Sequence, residues 1–248
     1  MKPRVLVTRP EPGASHTAAQ LRDAGFEPVI LPLTRIVPLD FVLPEGPFDA
    51  VIVTSAQALK AVDPGRLLHA PVFAVGETTE GSAKSAGFGN VMTARGSVES
   101  ITALVSESAK PAARLLYLCG KARRPELEAT LGAAGFQLTA VETYDAVPVA
   151  YSIGEIAARL GEMPFDAVTL MSARAAELFS ALADKPDFAP LFSRTKTLCL
   201  SQRIADALVL QGGWRISVTK KANQGSLLKL LKRELMRVHG QTSRPSAR

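Results

Sequence analysis

Two cysteines, three histidines and one tryptophan are all that 248 residues offer of the most reactive or most bulky side chains, and aromatics make up only 6%. Cys119 and Cys199 each sit in an aliphatic run, Leu115-Leu116-Tyr117-Leu118-Cys119 and Leu198-Cys199-Leu200. That suits two inert, buried thiols in a reducing, cytoplasmic setting better than a disulfide framework. His16, His69 and His239 are scattered without ligand spacing, so no metal cage is visible and histidine acid-base chemistry has little to draw on. The sequence has no G-x-x-x-x-G-K-[ST] and no G-x-S-x-G. Thr8-Arg9-Pro10-Glu11-Pro12-Gly13 stands where a dinucleotide-binding turn would follow the first strand. Nucleotide binding and serine hydrolysis lose their signatures. No apolar run approaches the roughly 18 residues of a membrane helix, and the first residues lack a signal-peptide pattern, so no membrane is expected.

A pI of about 9.5 and a net charge of +6 suggest nucleic acid until the charge is located. Residues 215–248 hold nine basic side chains against one acidic, while residues 1–214 hold 20 against 22. The body is slightly acidic, and no aromatics are interleaved in the basic stretch to stack on bases. A solvated last helix and tail account for the charge, and nucleic acid is not an expected partner. No long apolar stripe calls for an obligate dimer, so a monomer is expected.

With 47% hydrophobic residues the chain can build a large core. Short aliphatic runs alternate with helical stretches, the pattern of parallel strands joined by crossover helices. The class is α/β. Strands are expected at Val5–Val7, Pro28–Leu33, Ala50–Val53, Val72–Val75, Arg114–Leu118, Gln137–Val141, Ala167–Met171 and Thr197–Leu200. Helices are expected over Ala14–Ala24, Thr79–Ala86 and from Pro125 to Gly135, with Gly25, Gly87 and Gly135 as terminators.

The chain also resembles itself. Arg4-Val5-Leu6 and Ala24-Gly25-Phe26 recur 110 positions later as Arg114-Leu115-Leu116 and Ala134-Gly135-Phe136. Phe48-Asp49-Ala50-Val51 and Ser55-Ala56 recur 117 positions later as Phe165-Asp166-Ala167-Val168 and Ser172-Ala173. A looser match pairs Val72–Val75 with Thr197–Leu200, 125 positions on. Matches in one order with slowly growing offsets imply two similar α/β domains from an internal duplication, with a ligand cleft between them. Proline-rich extended stretches, 28–38 and 141–148, suit edge or connecting strands and are read as interdomain connectors. The apolar-poor end, 241–248, is expected to be a disordered tail.

Small hydroxyl residues recur where a strand leads into a helix: Thr54-Ser55-Ala56-Gln57, Gly76-Glu77-Thr78-Thr79, Gly96-Ser97, Ser172 and Ser201. One reading makes them N-caps; the other makes the free amides and hydroxyls seats for an anionic ligand. Lys121-Ala122-Arg123-Arg124 places three cations in one loop, either as solvated charge or to grip carboxylates. Tyr144, in a connector, is either a packed ring or a proton donor to a leaving hydroxyl.

Together Val5-Leu6-Val7-Thr8-Arg9-Pro10, Phe48 through Ala58, Ala74-Val75-Gly76-Glu77-Thr78-Thr79, Cys119-Gly120 with its basic loop, Glu142-Thr143-Tyr144, and Phe165 through Ser172 resemble the uroporphyrinogen-III synthase family. The resemblance spans about residues 4–230, and the order of the pieces carries more than any one of them. It implies two α/β domains joined by a two-stranded ladder, with the first strand and helix of each repeat exchanged. Domain 1 would be 1–33 with 149–240, domain 2 would be 45–138, and 34–44 and 139–148 would be the connectors.

The resemblance further implies a lyase of heme-type tetrapyrrole biosynthesis. It would use no metal or cofactor, and its small-molecule substrate would be the linear tetrapyrrole hydroxymethylbilane. Thr8, Thr54, Ser55, Thr78, Thr79, Ser97 and Ser172 match substrate-facing positions, and Tyr144 matches the favoured proton donor. Arg9, Gln57, Gly76, Lys121, Arg123, Arg124, Ser201 and Arg203 complete the expected contacts. Leu200-Ser201-Gln202-Arg203-Ile204 departs from the family's usual Gly-Pro-Thr-Thr-type turn. A non-catalytic two-lobed binder or sensor of small anions is the competing reading.

Overall fold

The computed structural model describes residues 1–123, 125–210 and 213–236. The expectations for Arg124 and for the tail at 241–248 fall outside them. Two compact units emerge, Met1–Arg35 with Pro148–Arg248, and Ile36–Val147.

In chain order the first elements are β1 (Arg4–Val7), α1 (Gly13–Asp23), β2 (Glu27–Ile30) and β3 (Thr34–Pro38). The middle holds β4 (Ala50–Val53), β5 (Val72–Ala74), α2 (Glu77–Ser85), β6 (Val91–Thr93), α3 (Val98–Ser108), β7 (Arg114–Gly120), α4 (Glu126–Ala133) and β8 (Gln137–Pro148). The last part holds α5 (Ile153–Leu160), β9 (Ala167–Leu170), α6 (Ala173–Ala183), α7 (Ala189–Phe192), β10 (Lys196–Cys199), α8 (Gln202–Asp206), β11 (Arg215–Val218) and α9 (Gln224–Met236). The class is α/β with parallel sheets.

The first unit's sheet has the order β11-β10-β9-β1-β2, all parallel. β1, β9 and the last three residues of β10 are buried because helices cover both faces. Leu6, Val168, Leu170 and Cys199 meet Ile156, Phe179 and Phe192 on one face. On the other, Val5, Val7 and Leu198 meet Leu21 of α1 and Leu227, Leu230 and Leu231 of α9.

The second unit's sheet has the order β3-β8-β7-β4-β5-β6. Strands β4 to β8 run parallel. Bonds from Leu39 N to Thr143 O and from Val149 N to Leu33 O run β3 antiparallel to β8, because partner numbers fall on one side as they rise on the other. Ile52, Leu115, Tyr117 and Cys119 pack with Ile101, Val105 and Leu127 on one face; Val51, Val53, Leu116 and Leu118 pack with Ala58, Leu59 and Ala83 on the other.

The self-similar segments occupy matching environments. Asp166 accepts from Arg4 N at 2.7 Å, and Asp49 accepts from Arg114 N at 2.8 Å. The Arg4 guanidinium lies over Phe165 and that of Arg114 over Phe48. Gly25 and Gly135, at φ +87° and +86°, close α1 and α4 with matching bonds, Phe26 N to Leu21 O and Phe136 N to Leu131 O. Glycine is favoured there because other residues are strained at positive φ.

Several boundaries differ from the sequence expectation. Of the stretch read as Pro28–Leu33 the regular strand β2 takes only the residues through Ile30, although Leu31 N and Leu33 N still donate to Val7 O and Thr8 O. β2 is an edge strand, the position that tolerates Pro28. The strand at 137–141 and the connector after it are one 12-residue strand, β8, with a register shift opposite Cys119 and Gly120. β6 and β11 escaped the pattern because they are short edge strands, not fully buried, and lack a continuous apolar run.

Candidate active site

Parallel sheets collect loop residues at the carboxyl ends of their strands, where helix amides and side chains can meet a ligand. In the second unit this edge brings together the ends of β4, β5 and β7, and the middle of β8.

Thr54 and Ser55 leave β4 toward opposite faces, because side chains alternate along an extended chain. Thr54 Oγ1 lies 2.9 Å from the Tyr117 hydroxyl of β7. Ser55 accepts from Gln57 N at 3.3 Å. Gln57 Oε1 is buried and has no hydrogen-bond partner among the described residues. Tyr144 is half-buried on β8, level with Gly120 in the ladder. A Cβ built on Gly120 would stand 2.6 Å from Tyr144 Cζ and 2.9 Å from its hydroxyl, so the ring occupies the space a side chain would need. Burial raises the Tyr144 pKa, and a hydrogen bond with Ser55 works against that rise. The Tyr117 phenol is pushed up to about 12, first by burial, with its bond to Thr54 opposing.

After β5, Gly76 starts α2 with no side-chain cap. Thr78 is exposed, and Thr79 is buried against the core. Ser97 is spent on a capping box with Ser100 at the start of α3. Lys121 is exposed, and its backbone amide donates to Tyr144 O at 2.9 Å, which ties the loop after β7 to β8. Arg123 is held at 2.5 Å by both Glu128 of α4 and Glu142 of β8, and these two carboxylates raise its pKa. Its charge is already matched by the protein.

In the first unit, the Thr8 hydroxyl is fully buried and donates to Thr169 O at 3.0 Å. Arg9 folds back over Gly13 and donates to Thr17 Oγ1 at 3.2 Å and Gln224 Oε1 at 3.1 Å. Burial lowers its pKa, and Glu11 opposes. Ser172 caps α6 by accepting from Ala175 N, whereas Ser201 starts α8 without capping it, and Arg203 is exposed.

The sequence reading missed Tyr117 as a site residue by counting it with its aliphatic neighbours. The available signal was the phenol itself, since a tyrosine inside a buried strand has to pair its hydroxyl.

A protein-family model described as Uroporphyrinogen-III synthase HemD matches residues 15–229. Among solved structures, uroporphyrinogen-III synthetase from Helicobacter pylori is 20% identical with a TM-score of 0.66, covering 94% of this chain and 99% of that one. A mutant uroporphyrinogen III synthase from Thermus thermophilus is 19% identical with a TM-score of 0.54, covering 94% and 99%. At these identities the structural likeness bears on the fold. No curated protein matches the sequence.

Proposed function

Because the chain belongs to the uroporphyrinogen-III synthase family, we propose that the strand ends around Tyr144 are where its reaction is run. The chain is a cyclising hydro-lyase of tetrapyrrole biosynthesis, converting hydroxymethylbilane to uroporphyrinogen III with inversion of the last ring and loss of water. A family match over residues 15–229 does not favour the alternative of a non-catalytic anion sensor.

The observation that carries the site is the Tyr144 phenol, half-buried against Gly120 and beside Ser55 at the edge of the sheet. The phenol is protonated at neutral pH as any tyrosine is, and burial tightens its hold on that proton, so what favours it as donor to the departing hydroxyl of the substrate is its position, not its acidity. The hydroxyl leaves as water, and the pyrrole N–H proton released as the azafulvene forms balances the one donated. The last pyrrole then attacks through its substituted carbon, and the spiro intermediate opens and recloses with that ring inverted.

Unaided cyclisation gives the wrong isomer, so holding one conformation is the larger task. The uncapped amides of α2 at Gly76 and the hydroxyls of Thr54 and Thr78 offer donors to the substrate's carboxylates. Lys121 adds an exposed cation. The two buried, free thiols suit the cytoplasm. Spectroscopic turnover of hydroxymethylbilane with isomer analysis of the product tests this reading. Type III product is expected, and no acceleration over the unaided reaction overturns it.

A further inference from the structure

Tyr117 lies on β7 on the face shared with Ile52, Cys119 and Leu127, and the residue is 3% exposed. In the ladder it pairs with Ile52, so its side chain reaches diagonally along that face to Thr54, two residues further on. Thr54 Oγ1 at 2.9 Å is its hydrogen-bond partner among the described residues. Either oxygen can donate in isolation, but the surroundings decide. Burial holds the phenol protonated well beyond neutral pH. A buried O–H with one neighbour must point at that neighbour, because an unpaired donor away from water is costly. Tyr117 therefore donates and Thr54 accepts.

The consequence falls on the Thr54 hydrogen. Thr8, Thr143 and Thr195 donate their hydroxyl protons to backbone carbonyls, of Thr169, Ala58 and Phe165 respectively. Thr54 is half-buried just past the end of β4, and the phenol occupies one of its two acceptor lone pairs. Its own O–H is left to be given outward, strengthened by the bond it receives.

We propose that Tyr117 is a positioning residue that fixes the Thr54 hydroxyl as a donor to a carboxylate of the bound tetrapyrrole. This rests on the reading of the β4 end as part of the substrate site. Tyr117 touches no substrate on this account; by filling one acceptor lone pair of Thr54 and leaving the Thr54 proton to be given outward, it favours an anionic acceptor over a donor group of the ligand.

Steady-state kinetics on Tyr117→Phe, Thr54→Ser, Thr54→Val and the double variant Tyr117→Phe/Thr54→Val test it. Tyr117→Phe keeps the ring and removes the donor. It should raise KM for hydroxymethylbilane, and the Kd for uroporphyrinogen III, by about three- to tenfold with kcat little changed. Thr54→Ser, which retains the hydroxyl, should stay near wild type. Thr54→Val should raise KM, and adding Tyr117→Phe to it should raise KM no further. A merely structural Tyr117 would lower the melting temperature and leave KM and Kd alone; that result, or additive effects in the double variant, overturns the proposal. Should Tyr117→Phe fail to fold, the contrast between Thr54→Ser and Thr54→Val decides, and equal KM values for the two overturn it. If wild-type protein turns over hydroxymethylbilane and Tyr117→Phe is unaltered, only this inference fails. A wild type without turnover overturns the functional reading beneath it.

Discussion

The ring of Tyr144 fills the place where a side chain at position 120 would stand, with Cζ 2.6 Å from a Cβ built on Gly120. Backbone conformation is not the reason for this glycine, since its φ is not positive. The requirement is space. Gly120→Ala forces the phenol outward, or the end of β7 aside, at a cost of about 1–3 kcal/mol for an overpacked contact. Activity should fall and the share of type I product should rise. An activity and isomer ratio equal to wild type would show that the ring can move without consequence.

Replacing the phenol separates its two possible uses. Tyr144→Phe keeps the packing and removes the proton, so the rate should fall by about 10²- to 10⁴-fold while the product stays type III. Tyr144→Ala removes the ring as well and should release type I product. Isomer analysis by chromatography distinguishes them, and full activity with pure type III product from Tyr144→Phe would remove the donor role.

What could be read from residues alone followed from how strictly physics ties pattern to structure. The central strands were legible because β1, β4 and β9 are covered on both faces and must be apolar throughout. The edge strands β6 and β11 carry no such demand. Single site residues were less legible, because a hydroxyl before a helix has the same sequence signature whether it is spent or available. Ser97 and Ser172 accept from amides of their own helices, whereas Gly76 leaves α2 without a side-chain cap. The cations behaved similarly. Three in one loop suggest anion binding, but Glu128 and Glu142, which match the Arg123 charge, lie 5 and 19 positions away in sequence.

That pairing changes what a substitution at Arg123 should do. With two carboxylates at 2.5 Å and partial exposure, Arg123→Gln should cost on the order of 1 kcal/mol, or about 2–4 °C in melting temperature. The difference from wild type should shrink in 1 M salt, as solvent ions screen the pairs. A higher KM without any change in melting temperature would instead assign Arg123 to the substrate.

Alkaline pH should destabilise the protein through its buried thiols and phenols. Burial raises Cys199 from 9.0 to about 12 and Cys119 from 9.0 to about 11, with Tyr117 moving from 10.0 to about 12. The folded state thus holds protons that the unfolded chain gives up, and stability falls as pH rises from about 9 toward 12. Because Cys199 is shifted by burial alone, Cys199→Ala should flatten the fall in melting temperature over that window. An unchanged slope would show that the thiol contributes nothing to it.

Arg9 offers a test of whether a cation near the first strand's end serves the ligand or the fold. Its guanidinium lies over Gly13, where a Cβ would come within 2.5 Å of Nε, and it bonds Thr17 of α1 and Gln224 at the start of α9. Gln224 is in turn bonded to Thr17 and Gln20. The group therefore pins the last helix to the first, and α9 supplies Leu227, Leu230 and Leu231 to the core beneath. A flexible arginine can ordinarily yield to a methyl group, but this one would lose both bonds by moving. Gly13→Ala and Gln224→Ala should each lower the melting temperature. Combined, they should lower it by less than the sum, because each removes the same contact. Hydrogen exchange should quicken in α9 first. If either variant instead weakens uroporphyrinogen III binding while melting and α9 exchange stay at wild-type values, Arg9 serves the ligand.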